Sequence, residues 1–449
     1  MSYWRLLGWA GLVLGITPGY GLVARGDTGA TVNWPQWRGP SGDGVAAGQN
    51  VATSWSETAG LAWKCALPEW GASTPAVWGD AVFVTTHVDD RDLVLLKINR
   101  QTGQTEWTRQ VGQASTPRAK PDHKSGDDRG QQKFHLTQNL ASPSPVTDGE
   151  HVVVHFGNGE LAAFDLDGNR RWQRNLQTDF GKYSIWWGHA NSPVLHAGLV
   201  ISVCMQDSCR ELGSEPFPSY LVAHDVVTGE QRWQTPRMTA ALAEHCDAYT
   251  TPLFWQQGPR QEMVVMGGQM LDAYDPLLGK QLWSVTQLSG NRVIPSPIAA
   301  HGLLFAIQGM REPLVAIRPP AEGTQTAGDA IVWSSDKGTS DSPSPVVWDD
   351  LLFMVNNDGI LHCFEALGGK LLWRSRLPGS YRASPVAIDG RIYLLNTTGL
   401  CTVAAAAREF QRISANQIDD DTLASPVMAA GHILLRGRKA LYCVAPAGH

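Results

Sequence analysis

The chain is predicted to fold as an all-β, eight-bladed β-propeller of four-stranded antiparallel blades, closed by an N-terminal strand that completes the last blade. Three observations predict it. Eight Ser-Pro or Thr-Pro steps recur at a propeller-like spacing: Thr74-Pro75, Ser144-Pro145, Ser192-Pro193, Thr251-Pro252, Ser296-Pro297, Ser344-Pro345, Ser384-Pro385 and Ser425-Pro426. A period of roughly 40 to 50 residues is the mark of such an array. Five of the steps are followed by a Gly-x-x-x-Trp, at Gly103/Trp107, Gly168/Trp172, Gly229/Trp233, Gly279/Trp283 and Gly369/Trp373; Trp333 keeps the tryptophan alone, and Phe410 stands in its place in the seventh unit. Finally, the strand count is one short at the C-terminus and one in excess at the N-terminus.

From the start of the chain, Arg5 precedes an apolar run from Leu6 to Ile16. That run is too short for a span of about 20 residues but suits the core of an export signal. Residues 1–24 are therefore expected to be a signal peptide, 25–54 an N-terminal extension and 55–449 the propeller. A retained N-terminal anchor is the alternative. The protein is expected to be exported, periplasmic or secreted, with no membrane span in the mature chain.

The segment Leu61-Ala62-Trp63-Lys64-Cys65 carries a tryptophan before the first proline step. It supplies the fourth strand that the last unit lacks, because the chain ends after Leu441-Tyr442-Cys443-Val444. Closure of this kind leaves no open sheet edge between the ends. The seventh unit shows the meander plainly. Ser384–Ile388, Arg391–Leu395, Leu400–Ala404 and Glu409–Ile413 are the four expected strands, separated by Asp389-Gly390 and by Asn396-Thr397-Thr398-Gly399. Asn and Gly accept the positive φ that tight turns require. In the turn between third and fourth strands, Asp165 and Asp225 are expected to cap backbone amides. The tryptophans that follow are expected to pack between blades.

Composition limits the partners. The net charge of −6 gives no basic footprint for nucleic acid. The seven cysteines leave at least one thiol unpaired. Cys363, Cys401 and Cys443 occupy equivalent apolar strands and are expected to be small buried hydrophobes, whereas Cys204 and Cys209 are spaced for a loop disulfide. No metal-ligand, nucleophile-elbow or phosphate-loop motif occurs. The acidic runs Asp127-Asp128 and Asp419-Asp420-Asp421 lack the alternating oxygen spacing of a calcium loop.

The Asp-x-x-x-Gly-x-x-x-Trp units resemble the PQQ-like repeat of quinoprotein-type propellers. The segment Trp34-Pro35-Gln36-Trp37-Arg38-Gly39-Pro40-Ser41-Gly42-Asp43-Gly44 is similar to the opening of exported planctomycete-type PQQ-like propellers that are themselves described as similar to BamB. The resemblance implies the propeller fold and an envelope setting. For quinoprotein dehydrogenases it implies PQQ against a disulfide of adjacent cysteines, above a tryptophan floor, with Ca²⁺ and a catalytic aspartate. No two cysteines are adjacent here. The expected cofactor complement is therefore none, with PQQ and Ca²⁺ as the alternative.

In a propeller the loop entering each first strand lies on the same face as the loop joining second and third strands, at the mouth of the channel. Residues just ahead of the proline steps should ring that mouth, and loops on a rigid scaffold gather binding residues. The candidates are Trp186, Trp187, His189, Asn191, Tyr249, Arg292, Asp341, Tyr381 and Arg382. Packing of a wide blade is an equal reading for the Trp186-Trp187-Gly188-His189 cluster, and an ion pair with Asp341 is one for the arginines. Insertions at 112–140 and 205–219 are expected on the mouth face, and one from Pro319 to Asp329 on the opposite face. The expected function is a non-catalytic binding or scaffold module, a monomer that takes an envelope protein or small polar ligand at the mouth. A quinoprotein alcohol or sugar oxidoreductase and a carbohydrate-binding propeller are the alternatives.

Overall fold

A computed structural model describes residues 1, 33–46, 48, 50–114, 135–206 and 218–448. The proposed signal segment after Met1, most of the insertions at 112–140 and 205–219, Cys209, and the polar run from Lys120 to Gly130 with Asp127-Asp128 lie outside the described residues.

Eight sheets follow one another around a ring, each built on a four-stranded antiparallel meander that one proline step opens. The strand Leu61–Ala66 pairs with Ala440–Val444, Trp63 facing Cys443 and Lys64 facing Tyr442, and so completes the eighth blade. The apolar inner strands pack blade against blade; one cluster joins the first, seventh and eighth blades across the closure.

Every fourth strand carries a β-bulge at the same place. The residue before the tryptophan is skipped in the ladder, at Ala62, Glu106, Arg171, Arg232, Leu282, Val332 and Leu372. Such a bulge bends the strand and aims one side chain, here the indole. In the seventh blade the skipped residue is Ile413, so the position aligned with the tryptophans belongs to Ser414. The strand runs Arg412–Gln417, not from Glu409. Phe410 precedes it and packs on Trp373, with ring centroids 5.4 Å apart. The expected equivalence of Phe410 to tryptophan is corrected accordingly.

What fills that seam comes from the N-terminal segment. Ser414 Oγ donates to Thr53 O, Tyr393 Oη donates to Ala52 O at 3.0 Å, and Asn416 Oδ1 accepts from Trp55 N at 3.0 Å. Trp55 is buried, and a Cβ on Gly60 would stand 3.0 Å from its side chain. Residues 52–55 thus cover the fourth strand of the seventh blade, where that blade's own sequence supplies no tryptophan.

The insertion after Pro319 also differs from a face loop. Its strand Gly323–Thr326 runs parallel to Gln281–Thr286 and extends the fourth blade outward to five strands. That relocation has a partner effect. Six fourth-strand tryptophans, including Trp107, Trp172 and Trp373, donate their indole N–H to a carbonyl in the next blade's turn. Trp283 faces the blade whose turn is replaced by the insertion, and donates instead to the buried carboxylate of Glu262 at 2.6 Å.

The capping acids behave as expected. Asp165 Oδ1 accepts from the amides of Asp167 and Asn169, and Asp225 Oδ1 from those of Val227 and Thr228. The Thr228 amide holds the Asp225 carboxyl below its usual range.

Candidate functional site

The first strands line the axis, and their serines form a belt. The amide of each step residue donates to the hydroxyl of the next blade's: Thr74 to Ser144, Ser144 to Ser192, Thr251 to Ser296, Ser296 to Ser344, Ser344 to Ser384 and Ser384 to Ser425, all at 2.8–3.0 Å. The two remaining junctions lead to threonines, Thr251 and Thr74, and are clamped differently. At the first, Asn191 Nδ2 donates to Ala248 O and Thr250 O. At the second, the buried Arg436 guanidinium donates to Ser73 O and Thr85 O.

One end of the channel is closed by the extension. Trp34 bridges to Val77 in the first blade, Pro35 O accepts from Thr147 in the second, and Arg38 donates to Pro345 O in the sixth. Val45–Ala46 then pairs parallel with the inner strand of the seventh blade. These contacts lie at or just beyond the proline steps, so the segment forms a plug under the mouth. Arg38 is buried; burial outweighs its attraction to Asp43 and lowers its pKa to about 10. Gly44 is required there, since its φ is +80° and a Cβ would meet the Arg38 guanidinium.

Above the plug is a cavity of about 560 Å³, with Trp37 in its lining beside the belt residues Thr74, Ser144, Ser192, Thr251, Ser384 and Ser425. Five of the nine sequence candidates line it: Trp187, Tyr249, Arg292, Asp341 and Arg382. They form one network. Trp187 donates through Nε1 to Glu244 Oε1 at 3.1 Å and through its amide to Tyr249 Oη at 3.3 Å. Arg292 lies between Glu244, at 3.7 Å, and Asp341, at 3.5 Å. Arg382 is 3.7 Å from Asp341 and donates to Ser342 Oγ at 3.0 Å. Asn357 Oδ1 accepts from the amides of Asp341 and Ser342, fixing the loop.

The other four candidates sit elsewhere. Trp186 stands edge-on to Trp187 and gives its amide to Asp247 Oδ2. Asn191 is the belt clamp just described. Tyr381 is fully buried among the sixth and seventh blades. His189 is buried 4.9 Å from the stacked ring of Tyr183, with Nε2 3.3 Å from His155 Nδ1. Burial lowers the His189 pKa to about 3 and holds His155 well below the usual range.

Trp37, Glu244 and His135 also line the cavity and were not singled out from the sequence. Glu244 stands in the same entrance loop as His245 and Asp247, and two tryptophans in a short extension were the only signal for Trp37. None of the described cysteines lines the cavity. Cys204 is buried, with Sγ donating to Gln206 Oε1; burial pushes the Cys363, Cys401 and Cys443 thiols up to about 12. Asp420 is likewise structural: its carboxylate accepts from the amides of Arg438, Lys439 and Ala440. Among the described residues no group of three or more His, Cys, Asp or Glu is placed to hold a metal, and no helix is long and apolar enough to cross a membrane.

The family model described as "Outer membrane protein assembly factor BamB" matches residues 39–239 and 322–417. No curated protein is significantly similar in sequence. Among solved structures, BamB from Moraxella catarrhalis is similar at 13% identity and a TM-score of 0.56, covering 86% of this chain and 99% of that one. Quinohemoprotein alcohol dehydrogenase from Comamonas testosteroni is similar at 13% identity and 0.65, covering 94% and 82%. The computationally designed Ika8 protein reaches 0.53 at 11% identity, covering 86% and 99%. At these identities the structural likeness concerns the fold.

Proposed function

Since the chain belongs to the family described as outer membrane protein assembly factor BamB, we propose that it is an exported, non-catalytic binding module of the cell envelope that takes its ligand or partner at the channel mouth. The observation that supports this reading is the cavity lined by Trp37 and walled by groups from several blades whose charges are already engaged with one another. A pre-formed concave site with a few convergent polar groups is suited to binding. PQQ with Ca²⁺ is the less favoured reading: among the described residues no cysteine lines the cavity, and the two carboxylates that do, Glu244 and Asp341, are held by Arg292 and Arg382.

The test compares the wild type with Arg292→Glu/Arg382→Glu for binding to fractionated envelope extract, protein and glycan fractions separately. Reversing both rim charges is expected to weaken binding at least about tenfold with an unchanged melting temperature. Saturable PQQ binding with dye-linked alcohol or sugar oxidation overturns the reading.

A further inference from the structure

The charge balance of the mouth cavity decides what class of ligand suits it. Among the described residues its two carboxylates and two guanidinium groups form one continuous chain, Glu244–Arg292–Asp341–Arg382. An ionic ligand entering here has to displace an existing partner of equal charge, so it gains little net attraction. A neutral ligand rich in hydroxyls does not: it bonds to the free edges of planar groups that stay paired.

The apolar surface has a matching shape. Trp187 is held by its bonds to Glu244 and Tyr249 and flanked edge-on by His135, at 5.6 Å, and Trp186, at 6.4 Å. Its orientation is therefore set without a ligand. Trp37 has the Arg38 guanidinium 5.7 Å from its ring centroid on one side, and the ring also reaches the cavity. Indoles are large flat surfaces whose N–H end seeks a polar partner, which suits ligands with one apolar and one polar aspect.

Hydroxyl donors complete the wall. Ser144, Ser192, Ser384 and Ser425 each accept a backbone N–H from the preceding blade. A hydroxyl that already accepts still has its own hydrogen to donate, and all four line the cavity.

From these juxtapositions we infer that the mouth takes an uncharged carbohydrate, with an apolar ring face on Trp37 or Trp187 and its hydroxyls on the Asp341–Arg382 rim. The cavity volume of about 560 Å³ suits about two or three sugar rings. The inference rests on the mouth being the binding face.

The test is calorimetric titration of the full mature protein with cellotriose, maltotriose and chitotriose, and with trigalacturonate as the charged counterpart. At least one neutral trisaccharide is expected to bind saturably, with affinity unchanged between about 50 mM and about 500 mM salt. Trp187→Ala is expected to weaken that binding about tenfold, and Arg382→Gln by several-fold. The melting temperature of each variant is measured alongside; Arg382→Gln, a partly exposed rim change, keeps the test valid if Trp187→Ala unfolds. Binding of trigalacturonate alone, a steep salt dependence, or sugar binding that both variants leave intact overturns the inference. If no trisaccharide binds while the rim double variant still loses extract binding, the carbohydrate assignment falls and the mouth reading stands.

Discussion

Gly229 supports Trp172 of the preceding blade, not Trp233 four residues on. A Cβ at Gly229 would lie 2.6 Å from the Trp172 ring, and Gly103, Gly168, Gly279 and Gly369 stand in the same relation to Trp63, Trp107, Trp233 and Trp333. The Gly-x-x-x-Trp spacing is thus two interfaces written as one motif: the glycine receives an indole from one neighbour, and the tryptophan is delivered to the other. At the same scale lie the histidines between the second and third blades. His224 is buried with neither ring nitrogen bonded, and burial first, then Arg174, lowers its pKa to about 4. An unfolded histidine titrates near 6.5, so between these values the unfolded state binds more protons than the folded one. Stability is therefore complete above about pH 6.5 and lost as pH falls below it. Urea unfolding is expected to show a loss of about 1–2 kcal/mol attributable to His224 between about pH 7 and about pH 5. His224→Phe, which keeps the contact with Trp172, should remove that share; an unchanged pH slope in the variant refutes it.

Elements show which parts of the repeat the sequence made legible. Strands, turns and the Trp63 closure could be read because Asp-Gly and Asn-x-x-Gly punctuation and a bulged tryptophan are local features. The seventh blade could not, because its seam is covered by residues 52–55, outside any repeat and far away in the chain. If Trp55 holds a structural post equal to the others, Trp55→Ala should cost about 3–5 kcal/mol in denaturant unfolding, the usual range for a buried tryptophan. A cost below about 1 kcal/mol makes it a surface ornament instead. The strand Gly323–Thr326 was hidden for the same kind of reason. Four residues, none of them with a hydrophobic side chain, become a strand only because the edge of Gln281–Thr286 offers amides and carbonyls to pair with.

Across the whole molecule, the N-terminal segment links the first and second blades to the sixth and seventh and floors the cavity. Shortening the chain to begin at residue 50 is expected to keep the blades, by far-ultraviolet dichroism, while lowering the melting temperature by at least about 5 °C. An unchanged melting temperature would show that the plug adds nothing to the ring. By itself the sequence determined the blade number, the strand order within each blade and the site of closure, since repeated turns and periodic apolar strands are encoded within some tens of residues. It also pointed to five residues that line the cavity, because position relative to a proline step sets which end of the channel a side chain occupies. Tertiary structure alone decided that Trp37 lines the cavity, that residues 52–55 cover the seventh blade's seam, and that Asn191 clamps a seam. Those roles depend on contacts between segments tens to hundreds of residues apart, and no local pattern records which distant backbone a side chain will meet.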